Sequence, residues 1–134
     1  MREELDQALV KDFPNLYRHR HNEAYCIWWG FATGDGWEPL VRELSVKLEA
    51  LIVALPKRQQ SKYFVTQVKE KFGGLRFSLS KATPEMSALL DEAEKKSFET
   101  CEGCGSPGTL RRGSWITVAC DPCQESRKAA QKAK

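Results

Sequence analysis

Four cysteines stand in two pairs of identical internal spacing, Cys101-Glu102-Gly103-Cys104 and Cys120-Asp121-Pro122-Cys123, with fifteen residues between them. The C-x₂-C-x₁₅-C-x₂-C pattern matches a four-thiolate zinc site, because a two-residue spacer lets both sulfurs of a pair reach one tetrahedral ion at about 2.3 Å. Gly103 and Gly105 permit the tight turn that aims backbone N–H groups at sulfur. Cys101, Cys104, Cys120 and Cys123 are therefore the expected ligands of one Zn²⁺. Four thiolates leave no open coordination position, so the expected role of the metal is structural and not hydrolytic. Redox use of the pairs is disfavoured, since such a motif normally comes singly within a βαβ pattern. The fifth cysteine, Cys26, fits no standard metal spacing with His19 and His21; the histidines are expected at the surface and the thiol buried.

The elements that must position these cysteines are legible from periodicity. Leu5, Ala8, Leu9 and Phe13 predict a short N-terminal helix ended by Pro14. Tyr25 to Phe31, rich in aromatic residues, reads as a strand, and Gly34-Asp35-Gly36 breaks the chain after it. Trp37, Leu40, Val41, Leu44, Leu48, Leu51, Ile52 and Leu55 form the stripe of a long helix, with Pro39 in its first turn and Asp35 as its candidate cap. Pro56 stops it, and residues 57–62 read as a solvated connector. Thr83-Pro84-Glu85 starts another helix, whose buried side is Met86, Leu89, Leu90, Ala93 and Ser97, and which delivers the chain to Cys101.

Between these helices, Phe64 to Phe72 and Leu75 to Ser80 flank Gly73-Gly74, which predicts a hairpin with the two glycines as its loop. That register pairs Phe72 with Leu75, Glu70 with Phe77 and Val68 with Leu79 on an apolar face; Lys71 meets Arg76 and Lys69 meets Ser78 on a basic one. Glu70, a carboxylate on the apolar face, is read as a satisfied group beside Phe72 and Phe77 in preference to a general base with a raised pKa. Thr109 to Val118 reads as a second hairpin turning near Gly113, and the second cysteine pair leads into a helix-forming run. A turn, a hairpin and a helix carrying the second pair is the order of a treble clef. The expected fold class is thus α+β: a small antiparallel sheet packed with helices over residues 1–98, a treble-clef-like finger over 99–130, and a frayed tail at 131–134.

Two resemblances add to this. The finger segment, Cys101-Glu102-Gly103-Cys104-Gly105 with Leu110-Arg111 and Ala119 to Gln124, resembles the C4 finger of the DksA/TraR transcription regulators, although it lacks their long coiled coil and RNA polymerase binding is not carried over. Gly34-Asp35-Gly36-Trp37, Val68 to Phe77, Cys101 to Gly108 and Trp115 together resemble a family of small phage and prophage proteins. That resemblance implies an origin in a mobile element, whose small proteins often bind and block host machinery, defence systems such as CRISPR effectors included.

Composition bounds the function classes. The 134 residues are 41% hydrophobic and 29% charged, the balance of a folded domain rather than a disordered chain. The longest uncharged run, Ala24 to Gly34, is too short and too glycine-rich to span a bilayer, so no membrane partner is expected. Acids directly after Met1-Arg2 do not fit a signal peptide, and a cytoplasmic location is expected. The formal charge of +3 is modest, but residues 111–134 carry six basic residues against Asp121 and Glu125. No P-loop, GxGxxG, GxSxG or HExxH motif is present. The favoured function is therefore a non-enzymatic protein that occupies a surface on a host protein or nucleoprotein complex, as an inhibitor or adaptor, through Lys69, Lys71, Arg76, Arg111, Arg112 and Trp115. The alternative is a nucleic-acid-binding or transcription-regulating finger protein that adds Arg127 and Lys128. An enzyme built on Glu70, His19 and His21 is least favoured.

Overall fold

A computed structural model describes the backbone of residues 1–132 and the side chains of residues 1–130. The expected tail, 131–134, lies at and beyond the end of these residues. The chain forms α1 (Glu3–Asp12), α2 (Glu38–Val53), a short α3 (Lys57–Gln60), the hairpin β1 (Val65–Lys71) and β2 (Gly74–Leu79), α4 (Pro84–Ser97), the small hairpin β3 (Thr109–Arg111) and β4 (Thr117–Ala119), and α5 (Asp121–Lys132). The fold is α+β, with two separate two-stranded antiparallel sheets. No helix among the described residues is long and apolar enough to cross a membrane.

The core lies where α2, α4 and the first hairpin meet. α2 buries Leu40, Val41, Leu44, Leu48 and Ile52, as its stripe predicts, and each such side chain contributes about 1.5–3 kcal/mol. The one polar residue in that stripe, Ser45, is satisfied by donating to the Val41 carbonyl and bonding the Tyr17 hydroxyl at 2.6 Å. α4 starts as its sequence demands: the Thr83 hydroxyl accepts the Met86 N–H at 3.2 Å, with Pro84 in the first turn. Its last turn places buried Ser97 under β2, where the hydroxyl accepts the Leu75 N–H. α1 ends at Phe13, and Asp6 reaches from it to a paired Arg20 at 2.7 and 2.9 Å.

Four local expectations are corrected. Residues 25–31 form no strand; Cys26–Trp29 is a turn of 3₁₀-helix that buries only Ile27, and Gly30 at φ 88° ends it. This stretch packs against β1 but pairs with it only at Ala32, in one parallel bridge, and its burial does not alternate as a strand's would. Asp35 does not cap α2; its carboxylate accepts the Arg2 N–H instead, and α2 begins after a 3₁₀ turn over Asp35–Trp37. The connector at 57–62 contains α3.

The fourth correction is the hairpin register. Lys71 pairs with Gly74, Glu70 with Leu75, Lys69 with Arg76 and Val68 with Phe77, so the loop is Phe72-Gly73 and not Gly73-Gly74. Both loop residues have positive φ, 53° and 90°, as a type I′ turn requires. Gly74 is needed in the strand for another reason: a Cβ there would lie 2.5 Å from the Phe98 ring. The pairing moves by two residues in total, so Gln67 to Lys71 keep their faces while Phe72 leaves the apolar sheet for the turn, and a bulge between Val65 and Gln67 brings Val65 opposite Leu79 on the apolar side. Glu70 therefore sits opposite Leu75, not Phe77, and accepts the Gly73 N–H at 2.9 Å. Glu70→Ala is expected to lower stability by about 1–2 kcal/mol, and Glu70→Gln, which keeps an acceptor, by less; urea unfolding reads the difference, and equal losses would show that charge rather than the bond matters.

Candidate metal centre and the surface beside it

The helix α4 hands the chain through Phe98–Thr100 to a knuckle in which Cys101 N–H donates to the Ser106 carbonyl and Gly105 N–H to the Cys101 carbonyl. Gly105 takes a positive φ of 85° there; Gly103 does not. β3 and β4 then pair with Thr109 opposite Ala119 and Arg111 opposite Thr117, and α5 carries Cys123 in its first turn. This is the knuckle, hairpin and helix order of a treble clef.

The fold brings the four predicted ligands together. Their Sγ atoms lie within 4.8 Å of one another, and those of Cys104 and Cys120 are 3.5 Å apart. A tetrahedral ion with metal–sulfur bonds of about 2.3 Å separates its sulfurs by about 3.8 Å, so the cluster has the size such a site needs. The thiols also compete for ionisation. Ser106, through its hydroxyl and then its amide, draws Cys104 down to about 6. Cys120, then Cys101 and Cys104, push Cys123 up to about 12. Burial raises Cys101, while the amides of Cys120, Cys104 and Gly103 pull it down, and the net direction is down. A divalent cation among the sulfurs removes that conflict by favouring all four thiolates at once.

The chain matches no family model, no curated protein and no solved structure. What the site does has to come from its own geometry.

The knuckle is seated on the core by residues that the sequence marks only as a chain break. Gly36 N–H donates to the Glu102 carbonyl and Gly34 N–H to the Glu102 carboxylate, each at 2.8 Å. The indole of the buried Trp37 donates to the Thr100 carbonyl at 2.9 Å. At Gly36 a Cβ would lie 2.3 Å from the Cys101 carbonyl oxygen, 2.5 Å from Gly105 N and 2.6 Å from Cys104 N. Gly34-Asp35-Gly36-Trp37 is thus a cradle for the metal knuckle. Burial raises the Glu102 carboxyl above the usual range, although the Gly34 amide opposes this. Two glycines flanking an acid ahead of a Trp are the only sequence signal for this contact.

The expected binding residues divide. Arg111 turns inward, donating to the Ala119 carbonyl and to Asp121 at 2.7 Å, and so ties β3 to the start of α5. Lys69 and Arg76 face each other across the hairpin, on the side opposite Glu70. Lys71 is exposed, with its ammonium 5.7 Å from the centre of the Phe72 ring. Arg112 is exposed and Trp115 is 64% exposed near the finger's turn.

Sequence reasoning missed Phe72. It is 71% exposed, yet it holds the left-handed backbone that costs a residue with a side chain about 1–2 kcal/mol. The tip is clamped there by Glu70 on the Gly73 amide and by Gly73 lying against Leu110 and Ile116 of the finger hairpin. Phe72 and Trp115 therefore stand on two hairpins locked side by side, lining with Glu70 and Ile116 a cleft of about 340 Å³.

His19, His21 and Cys26 form no second site. His19 packs on Phe64 and Tyr25, and Cys26, expected to be buried, is exposed because its 3₁₀ turn directs only Ile27 inward. Among the described residues the four-cysteine cluster is the one group of such side chains close enough to share a metal.

Proposed function

We propose that this is a non-enzymatic binding protein, in which one structural Zn²⁺ on Cys101, Cys104, Cys120 and Cys123 braces a surface that occupies a host macromolecular assembly stoichiometrically. Zinc is the metal for which a closed set of four thiolates is the usual structural site. The observation that carries the binding role is the exposed pair Phe72 and Trp115 on interlocked hairpin tips. A backbone strain kept for a side chain that barely enters the core points to a contact outside the molecule. Glu70, the carboxylate best placed for acid–base work, is engaged by the Gly73 amide. The resemblance to small phage and prophage proteins supports a host target in the cytoplasm, and a defence complex such as a CRISPR effector is the kind of assembly such a protein would block.

The test is affinity capture from the natural host by the zinc-loaded protein, with and without nuclease, followed by mass spectrometry. The expected result is one partner held near one-to-one and released by a Phe72→Gly/Trp115→Ala double variant that keeps the wild-type circular dichroism. Retention by that variant, or turnover of excess substrate by trace protein, would overturn the reading.

A further inference from the structure

We propose that the surface around Trp115 binds single-stranded nucleic acid, its bases stacking on Phe72 and Trp115 and its phosphates lying along Arg112, Arg127 and Lys128. The proposal rests on the binding role above and names the partner's chemistry. Trp115 lines three clefts: one runs back to the knuckle and holds the Glu102 carboxylate and Arg127, and the other two are of opposite character. On one side is the aromatic cleft with Phe72, Gly113, Ser114 and Ile116. On the other, Arg112, Arg127 and Lys128 surround a space of about 110 Å³ that also includes Gly113, Ser114 and Gln124, with no carboxylate in its lining.

An aromatic face beside a cationic track is the pairing a flexible polyanion with flat bases requires. Stacking tolerates any base, and the cations follow the backbone. None of Arg112, Arg127 and Lys128 forms a salt bridge among the described residues, whereas the neighbouring Arg111 is held by Asp121. Lys71, over the Phe72 ring, adds a cation at the far end. Gln124 completes the wall of the cationic space. The carboxylate of the aromatic cleft, Glu70, is directed onto the Gly73 amide. A single strand is favoured over a duplex because only unpaired bases expose the faces that two protruding rings can cover.

Zinc-loaded full-length protein titrated into labelled oligothymidylate and oligouridylate of about 20 nucleotides, with the corresponding duplexes as comparison, tests this directly. Expected are single-strand binding at least about ten-fold tighter than duplex binding and a log–log salt slope of about −2 to −3, matching three to four phosphate contacts. Phe72→Gly and Trp115→Ala should each weaken binding roughly five-fold or more. Phe72→Gly is the decisive variant, because it relieves a strained backbone: its thermal midpoint should stay level or rise while binding falls. Arg112→Glu/Lys128→Glu should flatten the salt slope by about one or more. No single-strand binding up to about 100 µM at about 50 mM salt overturns the proposal, as does equal binding of duplex or indifference to Phe72→Gly. Loss of a nuclease-resistant protein partner from these variants, with no oligonucleotide binding by the wild type, also overturns it and leaves the binding role intact.

Discussion

Stripping the metal with a chelator, or replacing Cys101 with serine, is expected to unfold the knuckle and the small hairpin and to release Gly34–Trp37 with them. Cys101 is fully buried and its carbonyl closes the knuckle on Gly105. The hairpin β3/β4 is three residues long on each strand, too short to hold itself together in water. A structural zinc of this kind supplies about 10–16 kcal/mol of apparent binding free energy in isolated fingers, far more than the local packing of such a module. The loss propagates because Glu102 binds the amides of both Gly34 and Gly36, and Trp37 donates to Thr100. Hydrogen exchange on the chelated protein should therefore show lost protection at residues 34–37 as well as 101–119. The central amides of α2 and β1 should remain protected, since Leu48, Ile52, Val65 and Val68 are buried away from the knuckle in the core cluster. Elemental analysis should return one zinc per chain. Protection of 34–37 unchanged by chelation would contradict the coupling, and absence of zinc would remove the premise.

Gly36→Ala is expected to cost about 3 kcal/mol or more and to loosen metal binding, although Gly36 is not itself a ligand. The new methyl would meet three backbone atoms of the knuckle between 2.3 and 2.6 Å away. Backbone cannot rotate aside as a flexible side-chain end can, so the knuckle must move off the core or the metal must lose its geometry. Gly103→Ala is the control. It lies inside the metal loop itself, yet its added carbon would meet nothing closer than Cys123 Sγ at 3.4 Å, ordinary contact that should cost less than about 1 kcal/mol. Urea unfolding and release of zinc to a colorimetric chelator measure both variants. If Gly36→Ala is as mild as Gly103→Ala, the close seating of the knuckle on the cradle is wrong.

Several features were legible because they are local. The ligand set follows from cysteine spacing alone, since two-residue gaps constrain where neighbouring sulfurs can go. α1, α2 and α4 follow from periodicity, and α4 even from its cap, because a helix face and its first turn are written in residues three and four apart. The existence of the first hairpin and the faces of Gln67 to Lys71 and of Leu75 to Leu79 were also readable, because side-chain alternation survives a two-residue change in pairing; the bulge that turns Val65 to the Leu79 side was not.

Only tertiary contacts decided the rest. Local sequence favours Gly73-Gly74 as the loop, and Phe72-Gly73 is taken instead where Phe98 packs on Gly74 and Leu110 and Ile116 pack on Gly73, partners over twenty residues away. The run Tyr25 to Phe31 has strand-forming residue types, but one bridge at Ala32 is all the pairing that the sheet edge gives it. Asp35 had the residue type of a cap, and long-range packing put its carboxylate on Arg2 instead. The seating of the knuckle on Gly34 and Gly36 joins residues more than sixty positions apart, and nothing in local spacing or propensity encodes such a distance. The same holds for Phe72 and Trp115: each is an aromatic residue near a turn in sequence, and only the locking of one hairpin tip against the other makes them a shared surface.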